Sequence, residues 1–421
     1  MKSIIRNILA QILKFEAKLV LVRFKPKIIL VGGNVGKTST KDTVFDALKG
    51  AGYSARKSAK SMNSEIGLPL SVLALPNAWN NPFLWLFNLL LGFLRVLERK
   101  YPEYLVLELG ADKRGDIKAA SKWLKADILI LTAIPDLPVH VENFKNKEEL
   151  FEEKRWLIKT PKPGGILIYD YDFEKNRDFA KDFDGQKFTY SSKSAKADFT
   201  VKDTEFTCSP LKMRATLCHK KQCEDLEFVY NIGAQQIKPA LAAWASLLAL
   251  GSKFSLSEAL KGKKRIKGRM SVLLGQSGSI IIDDTYNSSP EAAKAALDTL
   301  HKINCKNMRK IVVLGDMLEL GKFASEAHRE VLSLAKESAD KVYVCGAYMH
   351  EAAQHIGGVQ AFKKQDFDKL KRALKKEVKQ GDIVLIKASQ GMRFEKLSRA
   401  LLKDKKDVKH LPRQEKEWLK R

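Results

Sequence analysis

KIILVGGNVGKT, residues 27–38, decides how this chain is read. Lys27 to Val31 is a short apolar run rich in β-branched residues and predicts a buried strand. Gly33-Asn34-Val35-Gly36 then turns tightly, and a helical pattern runs from Thr38 to Leu48. The two glycines let the backbone present N–H groups to phosphate oxygens at the start of a helix. Lys37 is placed to reach the outer phosphates, Thr38 to ligate Mg2+, and Ser39 lies in the same first turn. The stricter form of this loop carries glycine five positions before Gly36, and that position here is Val31. The stretch therefore predicts strand, phosphate loop and helix, with a phosphate group as ligand.

Working outward, short apolar runs recur at 104–110, 127–134 and 165–170, with helical stretches between them. That alternation predicts an α/β domain built on a mainly parallel sheet. Residues 186–230 alternate polar and apolar and predict a small β-rich section, followed by a helix at 234–250. A second α/β unit, Rossmann-like in its alternation, is expected from 264 to 421, with strands at 279–284, 310–316, 341–346 and 382–389. Residues 27–263 form the expected nucleotide-binding unit, and residues 1–26 an N-terminal helix. The charged tail 403–421 reads as a solvated or frayed end.

The chain has 421 residues, 45% hydrophobic and 29% charged, enough for roughly two or three domains. Five cysteines, at 208, 218, 223, 305 and 345, show no paired spacing, so free thiols in a reducing cytoplasm are expected. A net charge of +26 favours contact with something anionic. It does not choose between phosphorylated substrates and a membrane surface. No nucleic acid is expected, because no base-reading signature with interleaved aromatics accompanies the charge. Residues 1–27 hold seven Lys/Arg and one Glu around an apolar face, an amphipathic basic helix suited to an anionic bilayer or to packing on the next domain. Pro82–Leu97 is apolar except for Asn88, Gly92 and Arg95; it is too short to span and reads as a buried or interfacial helix.

Several further strings carry chemistry. Asn63-Ser64-Glu65-Ile66-Gly67 follows the phosphate loop, and Leu107-Glu108-Leu109-Gly110 ends a strand with a carboxylate. His140-Val141-Glu142-Asn143 precedes Lys154 by fourteen residues counted from the histidine. Gly268-Arg269, Asp283-Asp284-Thr285-Tyr286-Asn287, LGDMLELG (314–321) with His328, and KASQGMRFE (387–395) come later. Singly each has an ordinary alternative: a surface charge, a loop histidine, a core strand. Their order and spacing together resemble the Mur ligase family from about residue 27 to about residue 400, and most closely its D-alanyl-D-alanine-adding branch.

The resemblance implies an ATP-dependent amide ligase of peptidoglycan biosynthesis that works through an acyl phosphate. By resemblance, Glu108 holds Mg2+ with Thr38, and His140 with a carbamylated Lys154 holds a second metal. Arg269 approaches the ATP phosphates, Asp284, Tyr286 and Asn287 lie at the nucleotide, and Asn63, Ser389 and Glu395 lie at the substrate. The implied substrates are a UDP-linked or lipid-linked muramoyl peptide and D-alanyl-D-alanine, in the cytoplasm or at the inner face of the membrane. Two features depart from the family. Twenty-six residues precede the first strand, where full-length members carry a UDP-gripping domain, so UDP recognition is expected to lie elsewhere or the acceptor to differ. Gln235, Gln236 and Pro239 replace the His, Asn and Asn of the family's adenine-side element, which bears on base choice. Two other readings stay open: a Mur-type ligase with a different acceptor, as in folylpolyglutamate or cyanophycin synthetases, and a basic P-loop ATPase module that docks on membrane or nucleic acid.

Overall fold

The structure is a computed structural model that describes residues 2–59, 62, 64–79, 81–111, 113–138, 141–415 and 418. The chain opens with α1 (Lys2–Phe24), β1 (Lys27–Gly32) and α2 (Lys37–Gly50), then β2 (Ala55–Lys57), α3 (Gly67–Leu73), α4 (Pro82–Leu97) and β3 (Tyr104–Glu108). There follow α5 (Asp116–Ser121), β4 (Ala126–Leu131), α6 (Lys147–Arg155), β5 (Pro161–Asp170), α7 (Glu174–Lys181) and β6 (Gln186–Ser191). Three more strands, β7 (Phe199–Cys208), β8 (Leu211–His219) and β9 (Gln222–Phe228), precede α8 (Ala234–Ala249) and α9 (Leu256–Ala259).

These strands form one sheet in the order β2-β3-β1-β4-β5-β6-β7-β8-β9. Pairing is parallel as far as β7, and β7, β8 and β9 then add an antiparallel meander. Because side chains alternate along a strand, β1 feeds two cores. Ile29 and Val31 pack with α2 and α8 on one face, while Ile28 and Leu30 pack with α1 and α3 on the other.

The remainder forms β10 (Ser271–Leu274), β11 (Ile280–Asp284), α10 (Pro290–Lys302), β12 (Lys310–Gly315), α11 (Ala324–Ser338) and β13 (Lys341–Cys345). It closes with α12 (Ala347–His355), β14 (Gln360–Phe362), α13 (Phe367–Glu377), β15 (Ile383–Lys387) and α14 (Glu395–Leu401). Its sheet order is β10-β11-β15-β12-β13-β14, antiparallel only at β10. The α2/α8 core continues into Leu297, Val312 and Leu314 of this unit, so the two sheets share a hydrophobic layer.

Two expectations need correction. The cysteines are not all free: Cys208 pairs with Cys305, their Cα atoms 5.8 Å apart, and Cys218 pairs with Cys223, 4.1 Å apart. Cys218 and Cys223 face each other in register across β8 and β9, and folding brings together the other pair, 97 residues apart in sequence. Neither arrangement leaves a trace in cysteine spacing. Among the described residues Cys345 is the free thiol, buried at the end of β13.

The tail is also not solvated throughout. Leu411 is fully buried, and the buried Arg413 donates to the carbonyls of Thr285 and Tyr286 while pairing with Glu395 at 3.4 Å. The turn after β11 has carbonyls that need a donor, and Arg413 supplies it.

One close approach is set by glycine. At the end of α2, a Cβ on Gly50 would collide with the carbonyl oxygen of Ala259 in α9, where backbone has to move to make room. Gly50→Ala should cost about 1–3 kcal/mol of stability, the usual range for overpacking, seen as a lower urea midpoint at unchanged m-value. An unchanged midpoint would mean that α9 is not seated as described.

Candidate active site

The phosphate loop sits where β1 ends beside β3. Parallel pairing opposes Val31 and Glu108, which delivers the Glu108 carboxylate to the mouth of the loop. Gly36 takes φ +90°, a left-handed conformation suited to glycine, and starts α2. Gly33 at φ +133° lies against Thr132, and a Cβ there would strike that residue. The loop is anchored to β4's end by Asn34 N and Val35 N donating to Ala133 O at 2.9 and 3.1 Å.

Thr38 Oγ1 donates to Glu108 Oε2 at 3.0 Å, and Glu108 is only 2% exposed. Lys41, equally buried, stands 3.9 Å from the same oxygen and donates to Ser58 O at 2.9 Å. Lys37 Nζ donates to Asn34 O at 3.0 Å across its own loop. Buried Lys154, on α6, reaches back to donate to Gly33 O at 3.3 Å. Thus Gly33, Asn34, Lys37, Thr38, Glu108 and Lys154 gather around one loop. His140 and Asn63 lie outside the described residues.

The donor set fits magnesium: a hydroxyl and a carboxylate oxygen already adjacent, at the N-terminus of a helix where phosphate would sit, are the hard ligands that ion takes.

A cavity of about 580 Å³ opens between the two units. Val35, Gly36 and Ser39 line it from the first unit, and Arg269, Asp284 and Lys387 from the second. The Arg269 guanidinium lies over the Tyr286 ring, 4.3 Å from its centroid. Lys387 pairs with Asp284 at 2.7 Å and donates to Asn287 O at 2.9 Å; its burial pulls its pKa below the ordinary lysine value. Asp284 also accepts from Met270 N at 3.1 Å. Ser389 and Glu395 are not brought to this cavity. Ser389 Oγ accepts from Leu318 N at 2.9 Å, and Glu395 is held by Arg393 at 2.6 Å and by Arg413.

One part of the site carries no sequence signal. Lys238, in the first turns of α8, pairs with Asp170 at 2.9 Å and Asp172 at 2.7 Å at the cavity wall. Burial pushes Asp170 up to about 6, whereas Lys238 and hydrogen bonds from Ser191 and Ser192 hold Asp172 below its ordinary value against burial. Gln235 also lines the cavity, and neither its amide oxygen nor its nitrogen has a hydrogen-bond partner among the described residues. Conversely, the LGDMLELG string is largely structural. Asp316 accepts from Ala347 N and Met349 N at 2.8 and 2.9 Å to start α12, and His328, kept neutral by burial, accepts from Met317 N.

Family comparison accounts for this geometry. The Mur ligase middle domain matches residues 31–247, and the Mur ligase glutamate ligase domain matches residues 268–390. The chain belongs to the Mur ligase family. As a Mur ligase it is an ATP-dependent enzyme that forms amide bonds. It is 29% identical over 398 residues to the UDP-N-acetylmuramoyl-tripeptide–D-alanyl-D-alanine ligase of Bacillus subtilis, covering 92% of this chain and 78% of that protein. The Escherichia coli enzyme of the same name is 24% identical over 380 residues, 89% of this chain and 76% of that one. Among solved structures, MurF ligase from Thermotoga maritima in complex with ADP superimposes with TM-score 0.77 at 26% identity, covering 95% of this chain and 84% of that one. A folylpolyglutamate synthase of Mycobacterium tuberculosis, at 16% identity and TM-score 0.64, shares the fold alone.

One buried acid in this Mur ligase makes its stability pH-dependent. Asp283 Oδ1 accepts from Thr285 and Ser398 at 2.9 and 2.7 Å, its other oxygen has no partner among the described residues, and burial pushes it up to about 7. Folding therefore disfavours its charged form. The contribution is fully present below the unfolded pKa of about 4 and is lost as pH rises through about 7. Asp283→Asn, which keeps the accepting oxygen, should flatten the fall of stability between those pH values; an unaltered pH profile of the denaturation midpoint would refute the assignment.

Proposed function

We propose that this Mur ligase joins D-alanyl-D-alanine to the terminal carboxylate of a muramoyl tripeptide, with UDP as the acceptor's carrier. The observation that carries the reading is the Thr38–Glu108 contact at the mouth of the phosphate loop, whose Val35, Gly36 and Ser39 line a cleft that the second unit closes with Arg269 and the Asp284–Lys387 pair. The names of the relatives supply the substrates.

The reaction runs in two steps. An acceptor carboxylate oxygen attacks the γ-phosphorus of ATP and ADP leaves, giving an acyl phosphate. The amine of the dipeptide then attacks the acyl carbon, phosphate leaves and the amine proton is lost. The protein's task is to position reactants and neutralise charge gathering on the transferring phosphoryl group. Backbone N–H groups at the start of α2 cradle phosphate, Lys37 clamps the outer phosphates, and Arg269 approaches from the second unit. Thr38 and Glu108 would hold Mg2+, which supplies Lewis-acid charge to the phosphates when bound. We assign Lys154, with His140, to a second metal. Carbamylation would turn the Lys154 ammonium into an oxygen donor, and its burial beside Gly33 O suits a group held in one place. Tyr286 steadies Arg269, and Asn287 is held next to the nucleotide pocket by Lys387. Asn63, Ser389 and Glu395 are assigned to the acceptor side, the last two acting by shaping the 389–395 turn. Closure of the cleft keeps water from the acyl phosphate. Gln235, in place of the family's histidine, offers an amide donor and acceptor to the purine edge.

A second reading keeps this chemistry and places the muramoyl peptide on a lipid carrier. It is favoured by the apolar outer face of α4, where seven large side chains are more than half exposed.

Phosphate release by the purified protein with ATP, UDP-N-acetylmuramoyl-tripeptide and D-alanyl-D-alanine is expected to require both acceptor and amine. Glu108→Gln and Lys154→Ala should each lower kcat by about a hundredfold or more. Release from the lipid-linked acceptor but not the UDP-linked one would favour the second reading; release with neither would refute both. Gln235→Ala should raise the KM for ATP with little change in kcat, and an unmoved KM would remove Gln235 from base recognition.

A further inference from the structure

The outer helical layer of the first unit carries a surface that catalysis does not use. Along α4, Phe83, Leu86, Phe87, Leu90, Phe93 and Leu94 recur at helical spacing, and each is more than half exposed. The opposite side of α4 is seated: Asn88 is buried and donates to Pro76 O at 2.8 Å, Arg95 Nε donates to Leu73 O at 3.0 Å, and Gly92 lets α4 lie against the buried Glu16 of α1. The exposed stripe is therefore the outward face of a docked helix. Glu16 meets Gly92, and Arg23 Nη2 donates to Glu98 O at 3.2 Å, so α1 and α4 run side by side in the same direction. α1 adds its own exposed apolar positions at Ile8, Ile12, Phe15 and Val22.

Charge distinguishes what covers this layer. Glu16 is the one carboxylate in the two helices, and it is buried. Exposed Arg23 and Lys25 at the end of α1 meet exposed Arg99 and Lys100 just past α4, and because the Glu98 carboxylate among them is paired with Arg95, they make a basic rim at one end of the apolar stripe. Exposed Trp79 stands at the other end, its carbonyl accepting from Trp85 Nε1 at 2.9 Å. A second copy would bring the same sign of charge from another chain of net charge +26. No helix among the described residues is long and apolar enough to cross a membrane. An apolar stripe without exposed carboxylates, with a tryptophan at one end and cations at the other, is the composition of a helix that lies in the interface of an anionic bilayer.

We propose that α1 and α4 form a docking face for the surface of a bilayer containing anionic lipid, with the α4 stripe inserted among the acyl chains and the Arg23, Lys25, Arg99 and Lys100 rim on the headgroups. The proposal does not depend on the acceptor's identity, because docking is read without substrates.

The test is sedimentation of the full chain with phosphatidylcholine vesicles prepared with and without phosphatidylglycerol. Binding is expected to the anionic vesicles, weakening as salt is raised. Leu90→Glu should lower the partition coefficient by about tenfold or more while leaving ATP-dependent phosphate release in solution unchanged. Arg99→Glu with Lys100→Glu should weaken binding to anionic vesicles only. The proposal is overturned if the wild-type chain stays in the supernatant, if Leu90→Glu binds as well as wild type, so that net charge alone suffices, or if Leu90→Glu instead abolishes a dimer seen by ultracentrifugation.

Discussion

The rest of the site depends on the contact between Thr38 and Glu108. It exists because two parallel strands, β1 and β3, end side by side, one feeding the phosphate loop and the other ending in a carboxylate. A buried carboxylate is costly unless polar groups surround it, and here the Thr38 hydroxyl and Lys41 do so. Mg2+ and phosphate would complete that arrangement. The loop's geometry follows from the same strand ends: Gly33 must pass against Thr132, and Ala133 anchors the loop from β4. The proposed catalytic groups stand at the carboxyl ends of parallel strands, as the crevice of an open α/β sheet requires.

The second unit brings a different set of constraints. Asp284 and Lys387, both buried, end the adjacent strands β11 and β15, and separating such a pair by removing one partner typically costs about 3–5 kcal/mol. The pair thus fixes the end of the second sheet that faces the cleft, with Arg269 resting on Tyr286 beside it. Arg413 secures the same turn from behind, which joins the tail to the site's support. Because hydrophobic packing continues from α8 into α10, the cleft is framed by one layer, and Lys238, Gln235 and Arg269 can share its lining.

How much of this was legible depended on whether the signal was local. Strands at 27–31, 310–316 and 382–389 were readable because buried parallel strands are continuous apolar runs, and they match β1, β12 and β15 within two residues. Pro82–Leu97 was readable as a helix to the residue, but which side faced out was not, since apolar residues stand all round it and contacts with α1 and the 73–76 segment decide it. The phosphate loop and Glu108 came from local motifs. Lys41, the Lys238–Asp170–Asp172 network and Arg413 did not, because each acts on residues far away in sequence or on bare carbonyls. The cysteine pairs escaped for the same reason. The opposite case is Asp316 and His328, whose string marks the family branch although their contacts hold a helix and a loop in place.

The central claim is that the acceptor carboxylate is phosphorylated in this cleft before the amine attacks, and isotope transfer tests it most directly. UDP-N-acetylmuramoyl-tripeptide labelled with oxygen-18 in its terminal carboxylate is turned over with ATP and D-alanyl-D-alanine, and the released phosphate is analysed by mass spectrometry. One labelled oxygen in the phosphate is expected for each amide formed. Unlabelled phosphate accompanying amide formation would contradict it, since the acceptor oxygen would never have been bonded to phosphorus.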